Sequence, residues 1–182
     1  MKTISEHVLD IIQNSVSAGA GNIEITIGED KKKDLFTLIM QDDGCGMDEE
    51  MVLQAADPFF TSRKTRKVGL GLALLKQNAE NANGSFSLKS RPGEGTGITA
   101  IFQYSNIDRP PLGDIWNSLY YTWLSNQQIR ILYRHETGKG QFTMDSAEIK
   151  EMLGGVSLQK KEIRNALLEM IKNNLREIDA AK

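Results

Sequence analysis

The chain has 182 residues, of which 40% are hydrophobic and 25% are charged, and its formal net charge is −2. These values are ordinary for one globular domain, or for one domain with a small appendage, and they give no reason to expect nonspecific binding to nucleic acid or membranes. No apolar run approaches the roughly 20 residues of a membrane-spanning helix, and the N-terminus lacks the apolar core of a signal peptide. The single cysteine, Cys45, cannot form an internal disulfide. We therefore expect a cytoplasmic protein.

The first 105 residues alternate between helical and strand patterns. Residues 5–18 predict a helix because apolar side chains recur at helical spacing until Gly19 and Gly21. The remaining predicted elements, in order, are a strand at 23–27, a turn at 28–34, a strand at 35–41, a helix at 48–56, a mobile loop at 59–68, a helix at 70–82, and a hairpin of strands at 85–90 and 97–104.

Composition changes at Asn106, where the proline-containing stretch NIDRPPLGD suits a linker. We divide the chain into a first domain at 1–105, a linker at 106–113 and a small α+β domain at 114–182. The predicted elements of the last part are a helix at 114–125, strands at 128–135 and 140–145, a short helix capped by Asp145 and Glu148, and a helix at 157–178. The helical spacing of Trp116, Tyr120 and Trp123 favours a core face over a docking surface.

Four short segments of the first domain carry polar groups suited to one site. In the first helix, His7, Asp10 and Asn14 share a face because residues four apart are neighbours. The second segment, QDDGCGM at 41–47, is an apolar strand that ends in two carboxylates and two glycines, a pattern that delivers polar groups to the edge of a site. A glycine there lets a ligand approach the backbone closely.

The third segment, PFFTSRKTRKVGLGLALL at 58–75, joins a basic stretch to a helix. Gly69 and Gly71 lie where the loop becomes the helix, and free amides at a helix N-terminus bind phosphate well. The fourth segment, GEGTG at 93–97, is a turn of small residues between two strands. Each segment alone is a weak signal, because turns use the same residues, but the four occur in order at workable spacings.

In this order the segments resemble the ATP-binding domain shared by gyrase, the large heat-shock chaperones, histidine kinases and MutL mismatch-repair proteins. The resemblance covers residues 5–104, and from Pro58 onward it is greatest to histidine kinases. It implies the Bergerat-type fold, an α+β sandwich whose mixed, mostly antiparallel sheet carries helices on one face and holds ATP and Mg²⁺.

The resemblance also implies roles for individual residues. Asn14 would ligate Mg²⁺, Asp42 would accept the exocyclic amine of adenine, and Thr96 would sit beside Asp42 and help hold the adenine through a water. Gly44 and Gly46 would let the base lie against the backbone, whereas Asp43 is expected to be solvated or structural. The rest of the implied nucleotide-binding set is Met47, Arg63, Lys64, Lys67, Gly69, Leu70, Gly71 and Leu72.

The chain departs from the family's pattern at several positions. Asp10 stands where the ATPase branches carry a glutamate that acts as general base, and aspartate is one methylene shorter. Asp10 is therefore a candidate catalytic base or a supporting polar residue. His7 lacks the surroundings of a phosphoacceptor and is expected at the surface or in a supporting role, and Lys67 replaces a glycine. Because the chain begins almost at the asparagine helix, we expect no phosphoacceptor hairpin upstream.

Three functions remain open at this point. The first is a kinase-type or regulatory module that acts on a separate protein, and the second is a conformational ATPase with Asp10 as base. The third is a noncatalytic nucleotide-sensing subunit of a larger complex. We expect a protein partner in each case, with residues 106–182 as its docking or regulatory part. The oligomeric state stays open.

Overall fold

The computed structural model describes residues 1–55 and 71–180. Its elements, in chain order, are α1 (Ile4–Ser17), β1 (Asn22–Asp30), β2 (Leu35–Asp42), α2 (Glu49–Ala55), α3 (Gly71–Asn81), β3 (Ser85–Arg91), β4 (Gly95–Gln103), α4 (Ile115–Ser125), β5 (Arg130–Thr137), β6 (Gly140–Asp145), α5 (Ser146–Leu153) and α6 (Lys161–Glu177). The predicted loop at 59–68 lies outside the described residues, as do five members of the implied nucleotide-binding set: Arg63, Lys64, Lys67, Gly69 and Leu70.

The six strands form one sheet in the order β3-β4-β2-β1-β5-β6. Only the β1–β5 pair is parallel among these strands, so the predicted mixed, mostly antiparallel sheet is confirmed. Alternation along β1 places Ile23, Ile25 and Ile27 on the buried face. Each such side chain contributes roughly 1.5 to 3 kcal/mol when it is fully buried.

The helices pack against this buried face and share one hydrophobic core with it. Helix α1 begins where the side chain of Thr3 accepts a hydrogen bond from the backbone N–H of Glu6. The core contributions of the helices include Ile4, Val8 and Ile12 from α1, Leu75 from α3, Leu119 and Trp123 from α4, and Ile171 and Leu175 from α6. The predicted layer of helices on one face of the sheet is therefore confirmed.

The segment after residue 105 continues the same sheet and core. Strand β5 lies parallel to β1, with Ile23 opposite Ile131, and the N–H groups of Ile4 and Ser5 in α1 donate to the carbonyls of Pro111 and Leu112 at 2.9 Å each. Tyr120 and Trp123 are buried, as predicted, whereas Trp116 is half-buried. The boundary at 106–113 stays a prediction about how the chain is divided.

Two element boundaries differ from the prediction by three residues or more. Strand β1 continues to Asp30, beyond the turn expected from Gly28 onward, because the Asp30 carboxylate accepts from the N–H groups of Lys32 and Lys33 and forms the turn after the strand. Helix α6 begins at Lys161 and not at residue 157, because the hydroxyl of Ser157 accepts from the N–H of Gln159 and holds a turn there.

Candidate functional site

A cavity of about 510 Å³ opens between α1, the loop after β2 and the start of β4. It brings together residues from all four segments singled out in the sequence. Its lining includes Asn14, Ser15, Asp42, Cys45, Gly46, Met47, Leu72, Thr96 and Ile98. The predicted convergence of Asn14, Asp42 and Thr96, which lie far apart in the sequence, is thus present in the fold.

Asp42 ends strand β2 with its carboxylate held from two sides. The hydroxyl of Ser15 donates to Oδ2 at 2.6 Å, and the backbone N–H of Gly44 donates to Oδ1 at 3.0 Å. An ionised carboxylate has about four acceptor positions, so these bonds leave Asp42 able to accept a further donor. Ser15, which the sequence reasoning missed, therefore fixes the orientation of this carboxylate.

Thr96 lies directly opposite Asp42 in the β2–β4 pair, as the resemblance implied. Its hydroxyl is 3.0 Å from the hydroxyl of Ser90, which also accepts from the N–H of Met47 at 2.9 Å and donates to the carbonyl of Gly95 at 2.7 Å. The Ser90 hydroxyl thus connects β3 and β4 to the loop after β2, residues 43–47, which we call the glycine loop. The sequence offered no signal for Ser90 beyond its place on the strand before the turn.

The glycine loop needs Gly46 for the fold itself. Gly46 has a φ of +66°, and a Cβ atom there would lie 1.9 Å from the carbonyl oxygen of Arg91. The carbonyl of Cys45 also accepts from the N–H of Gly93 at 2.8 Å. The loop therefore packs against the β3–β4 turn so closely that only glycine fits at this position.

Asp43 holds the loop before β1 and does not line the cavity. Its carboxylate accepts from the N–H groups of Gly21 and Asn22, at 2.7 and 2.8 Å, and from the side-chain amide of Asn22 at 2.6 Å. The Asn22 amide, together with these backbone donors, lowers the pKa of the Asp43 carboxyl. The structural role expected for Asp43 is confirmed by these bonds.

Helix α1 presents Asn14 to the cavity and places Asp10 one turn earlier. The Asn14 side-chain nitrogen donates to Oδ2 of Asp10 at 3.4 Å. Burial raises the pKa of the Asp10 carboxyl, and this hydrogen bond opposes the shift. Asp10 does not appear among the described residues that line the cavity; its carboxylate lies instead against the backbone of Gly71, the first residue of α3.

His7 is fully buried, which excludes the surface position and leaves the other expected alternative, a supporting role. Its Nε2 lies 2.9 Å from the side-chain nitrogen of Asn78 in α3. Burial, followed by the positive charge of the N-terminus, lowers the pKa of His7 from 6.5 to about 4. The neutral ring can then accept the Asn78 hydrogen bond, and His7 supports the packing of α1 on α3.

Residues 2–106 match the family described as histidine kinase-, DNA gyrase B-, and HSP90-like ATPases. This match covers more than half of the 182 residues, and the chain belongs to this family. The described residues that line the cavity all lie within the matched range.

Sensor kinases are among the curated relatives. The chain is 27% identical over 108 residues to a probable C4-dicarboxylate sensor kinase of Bacillus subtilis, which covers 54% of this chain and 20% of that protein. It is 32% identical over 109 residues to the tetrathionate sensor histidine kinase TtrS of Salmonella typhimurium, covering 57% and 18%. The chain thus spans about a fifth of the length of these relatives.

A solved structure of the N-terminal domain of a DNA repair protein has the same fold, with a TM-score of 0.51 at 17% identity. The alignment covers 79% of this chain and 52% of that one, so it extends beyond residues 2–106. Among the helices of the described residues, none has the length and apolar character needed to cross a bilayer.

Proposed function

We propose that the protein binds ATP with Mg²⁺ in the 510 Å³ cavity. The observation that carries this proposal is the meeting of Asn14, Asp42 and Thr96 at one cavity in a chain of this ATPase family. A larger hollow of about 730 Å³ shares Asp42 and Thr96 but lies on the side of α2 and the β3–β4 turn. The smaller cavity is the better candidate because it also contains Asn14, Gly46 and Met47.

The donor set fits the proposed ligands. Asp42 would accept the adenine amine beside Thr96, and the Ser15 and Ser90 hydroxyls would keep these two groups in place. The described residues contain no group of three or more His, Cys, Asp or Glu that could hold a metal ion. Mg²⁺ would therefore be held by the Asn14 oxygen, by phosphate oxygens and by water, a ligand set that this ion favours.

We further propose a kinase-type or regulatory role in cytoplasmic signal transduction, exerted on a separate protein partner. The similarity to sensor kinases supports this role. The segment after residue 105 offers a mechanical connection to such a partner, because α4 packs on α1 and β5 pairs with β1. Movement at the nucleotide cavity would thus reach both elements through α1 and β1.

Titration of the full chain with ATP, in Mg²⁺ and in EDTA, tests whether the cavity binds ATP with Mg²⁺, on which every candidate function depends. Asp42→Asn should weaken ATP binding about tenfold or more, because a hydrogen bond to a charged acceptor contributes roughly 1.5 to 3 kcal/mol. Asp43→Asn is the matched control, since it makes the same chemical change one residue away, where the carboxylate binds Gly21 and Asn22. Unchanged affinity in Asp42→Asn would refute the site.

Transfer of labelled γ-phosphate from ATP to a purified candidate partner separates the functions that share this site. Transfer supports the kinase-type role. Steady ATP hydrolysis that disappears in Asp10→Asn supports a conformational ATPase instead. Binding without either reaction leaves a nucleotide-sensing subunit.

A further inference from the structure

We propose that Asp10 is a positioning residue for the metal site: its carboxylate fixes the side-chain amide of Asn14 so that the amide oxygen stays available to Mg²⁺. This inference rests on the proposed function, because it assigns a task at the ATP·Mg²⁺ cavity. It concerns how the metal ligand is oriented and makes no use of proton transfer by Asp10.

An asparagine amide can turn by half a rotation and exchange its donor nitrogen for its acceptor oxygen. In α1, the Asn14 nitrogen donates to Oδ2 of Asp10 at 3.4 Å. The reversed amide would place its oxygen against the carboxylate, and two acceptors repel each other. Asp10 therefore selects the orientation in which the Asn14 oxygen is the free atom of the amide.

Helix α3 keeps the Asp10 carboxylate in place. A Cβ atom on Gly71 would lie 1.9 Å from Oδ2 of Asp10, so the carboxylate occupies space that any other residue at position 71 would fill. One turn before Asp10, His7 joins α1 to Asn78 of α3 through the 2.9 Å contact of their side chains. The Asp10–Gly71 and His7–Asn78 contacts therefore hold α1 against α3 at two successive turns of α1.

Positioning and general-base catalysis make different demands on Asp10. A general base must come within hydrogen-bonding reach of the attacking water in the ligand complex. A positioning residue needs only to reach Asn14, which Asp10 does. Partners that orient metal ligands in this way commonly change metal affinity about 10- to 100-fold when they are removed.

The test compares ATP affinity in Mg²⁺ with ATP affinity in EDTA for the full chain, using the ratio of the two as the Mg²⁺ increment. Asp10→Ala should reduce the increment about 10-fold or more and leave the affinity in EDTA unchanged. Asp10→Asn should retain the increment, because its amide oxygen can still accept from Asn14. Glu6→Ala removes an exposed carboxylate one turn earlier on α1 and should also retain it.

If Asp10→Ala does not fold, Asp10→Ser replaces it, since its hydroxyl oxygen lies one bond closer to the backbone than the carboxylate oxygens and so draws the acceptor away from Asn14 without leaving an apolar surface. A full Mg²⁺ increment in either variant would overturn the proposal. An equal loss in Asp10→Asn and Asp10→Ala would also overturn it, because charge and not the acceptor oxygen would then be responsible. Failure of the unaltered chain to bind ATP in Mg²⁺ would instead refute the proposed function.

Discussion

At the scale of single residues, Asp42 and Asp43 show how neighbouring carboxylates acquire different tasks. Both follow the same apolar strand, and only their surroundings separate them. Asp42 is held by Ser15 and Gly44 at the cavity, whereas Asp43 binds the backbone at Gly21 and Asn22. The sequence predicted this division through the family resemblance, and the hydrogen bonds supply its physical cause.

His7 gives a pH-dependent prediction at the same scale. Its pKa is lowered from 6.5 to about 4 by burial, so between these values the unfolded chain binds a proton that the folded chain does not. The free energy of unfolding therefore falls as the pH falls through this window, by about 2 kcal/mol between pH 7.5 and pH 5. Below pH 4 both states are protonated and the His7 contribution stays lost.

Urea unfolding at several pH values measures this loss. His7→Gln is the matched variant, because its amide oxygen can accept from Asn78 and it does not titrate. We expect the stability of His7→Gln to depend less on pH between 4 and 6.5 than that of the unaltered chain. Equal slopes in the two proteins would show that His7 is not the group responsible.

At the scale of elements, the β1–β5 pair is held by a buried polar network as well as by its backbone ladder. His135 on β5 lies 2.7 Å from the carboxylate of Glu29 on β1 and 2.6 Å from the hydroxyl of Tyr133. The side chains of Glu29 and His135 are fully buried. The sequence had placed Glu29 in a turn, because its charge gave no sign of a buried partner more than 100 residues later.

Removing His135 should be costly. His135→Phe keeps an aromatic ring beside Tyr133 but withdraws one hydrogen-bond partner from the buried Glu29 side chain, which commonly costs about 1 to 3 kcal/mol. The double variant His135→Phe, Glu29→Met should recover much of this loss, because apolar replacement of both partners can be nearly neutral.

Urea unfolding of His135→Phe, of Glu29→Met and of the double variant measures the coupling energy between the two side chains directly. Glu29→Gln serves as the milder control, since it retains an acceptor for His135 without the charge. A small loss in His135→Phe, or additive losses in the double variant, would contradict the role given to this network.

At the scale of the whole molecule, one sheet and one core join the ATPase-family region to the segment after residue 105. Strand β5 covers the edge of β1, and α4 packs against α1, with Leu119 and Trp123 of α4 in the shared core. Arg109, in the segment after residue 105, makes cation–π contacts with Phe36 and Tyr104 of the earlier region, and its guanidinium is 4.9 Å from both ring centres. We therefore expect the described parts to unfold as one cooperative unit.

The positions of the two tryptophans make this expectation testable. Trp116 and Trp123 both lie in α4, so tryptophan fluorescence reports on the segment after residue 105, whereas far-ultraviolet circular dichroism reports on the whole chain. The two unfolding midpoints should coincide. ATP with Mg²⁺ at 100 times its dissociation constant should raise the free energy of unfolding by about 2.7 kcal/mol, and both probes should report this increase.

Asp42→Asn is the control for ligand linkage, because both probes should lose their response to ATP when binding is lost. Separate midpoints, or a fluorescence transition that ignores ATP in the unaltered chain, would show that the later segment unfolds independently. That result would support the predicted domain boundary at 106–113.

The sequence alone determined the type and order of the elements and the identity of the cavity residues Asn14, Asp42 and Thr96. Local periodicity, glycine turns and capping residues act over a few positions and therefore indicate the elements. The order of the four segments indicated the family resemblance, from which the cavity residues were predicted. Tertiary structure decided that β5 joins β1, that Glu29 and His7 are buried, and that Asp10 lies against Gly71. These depend on contacts between distant parts of the chain, because burial and pairing arise only when the elements pack together.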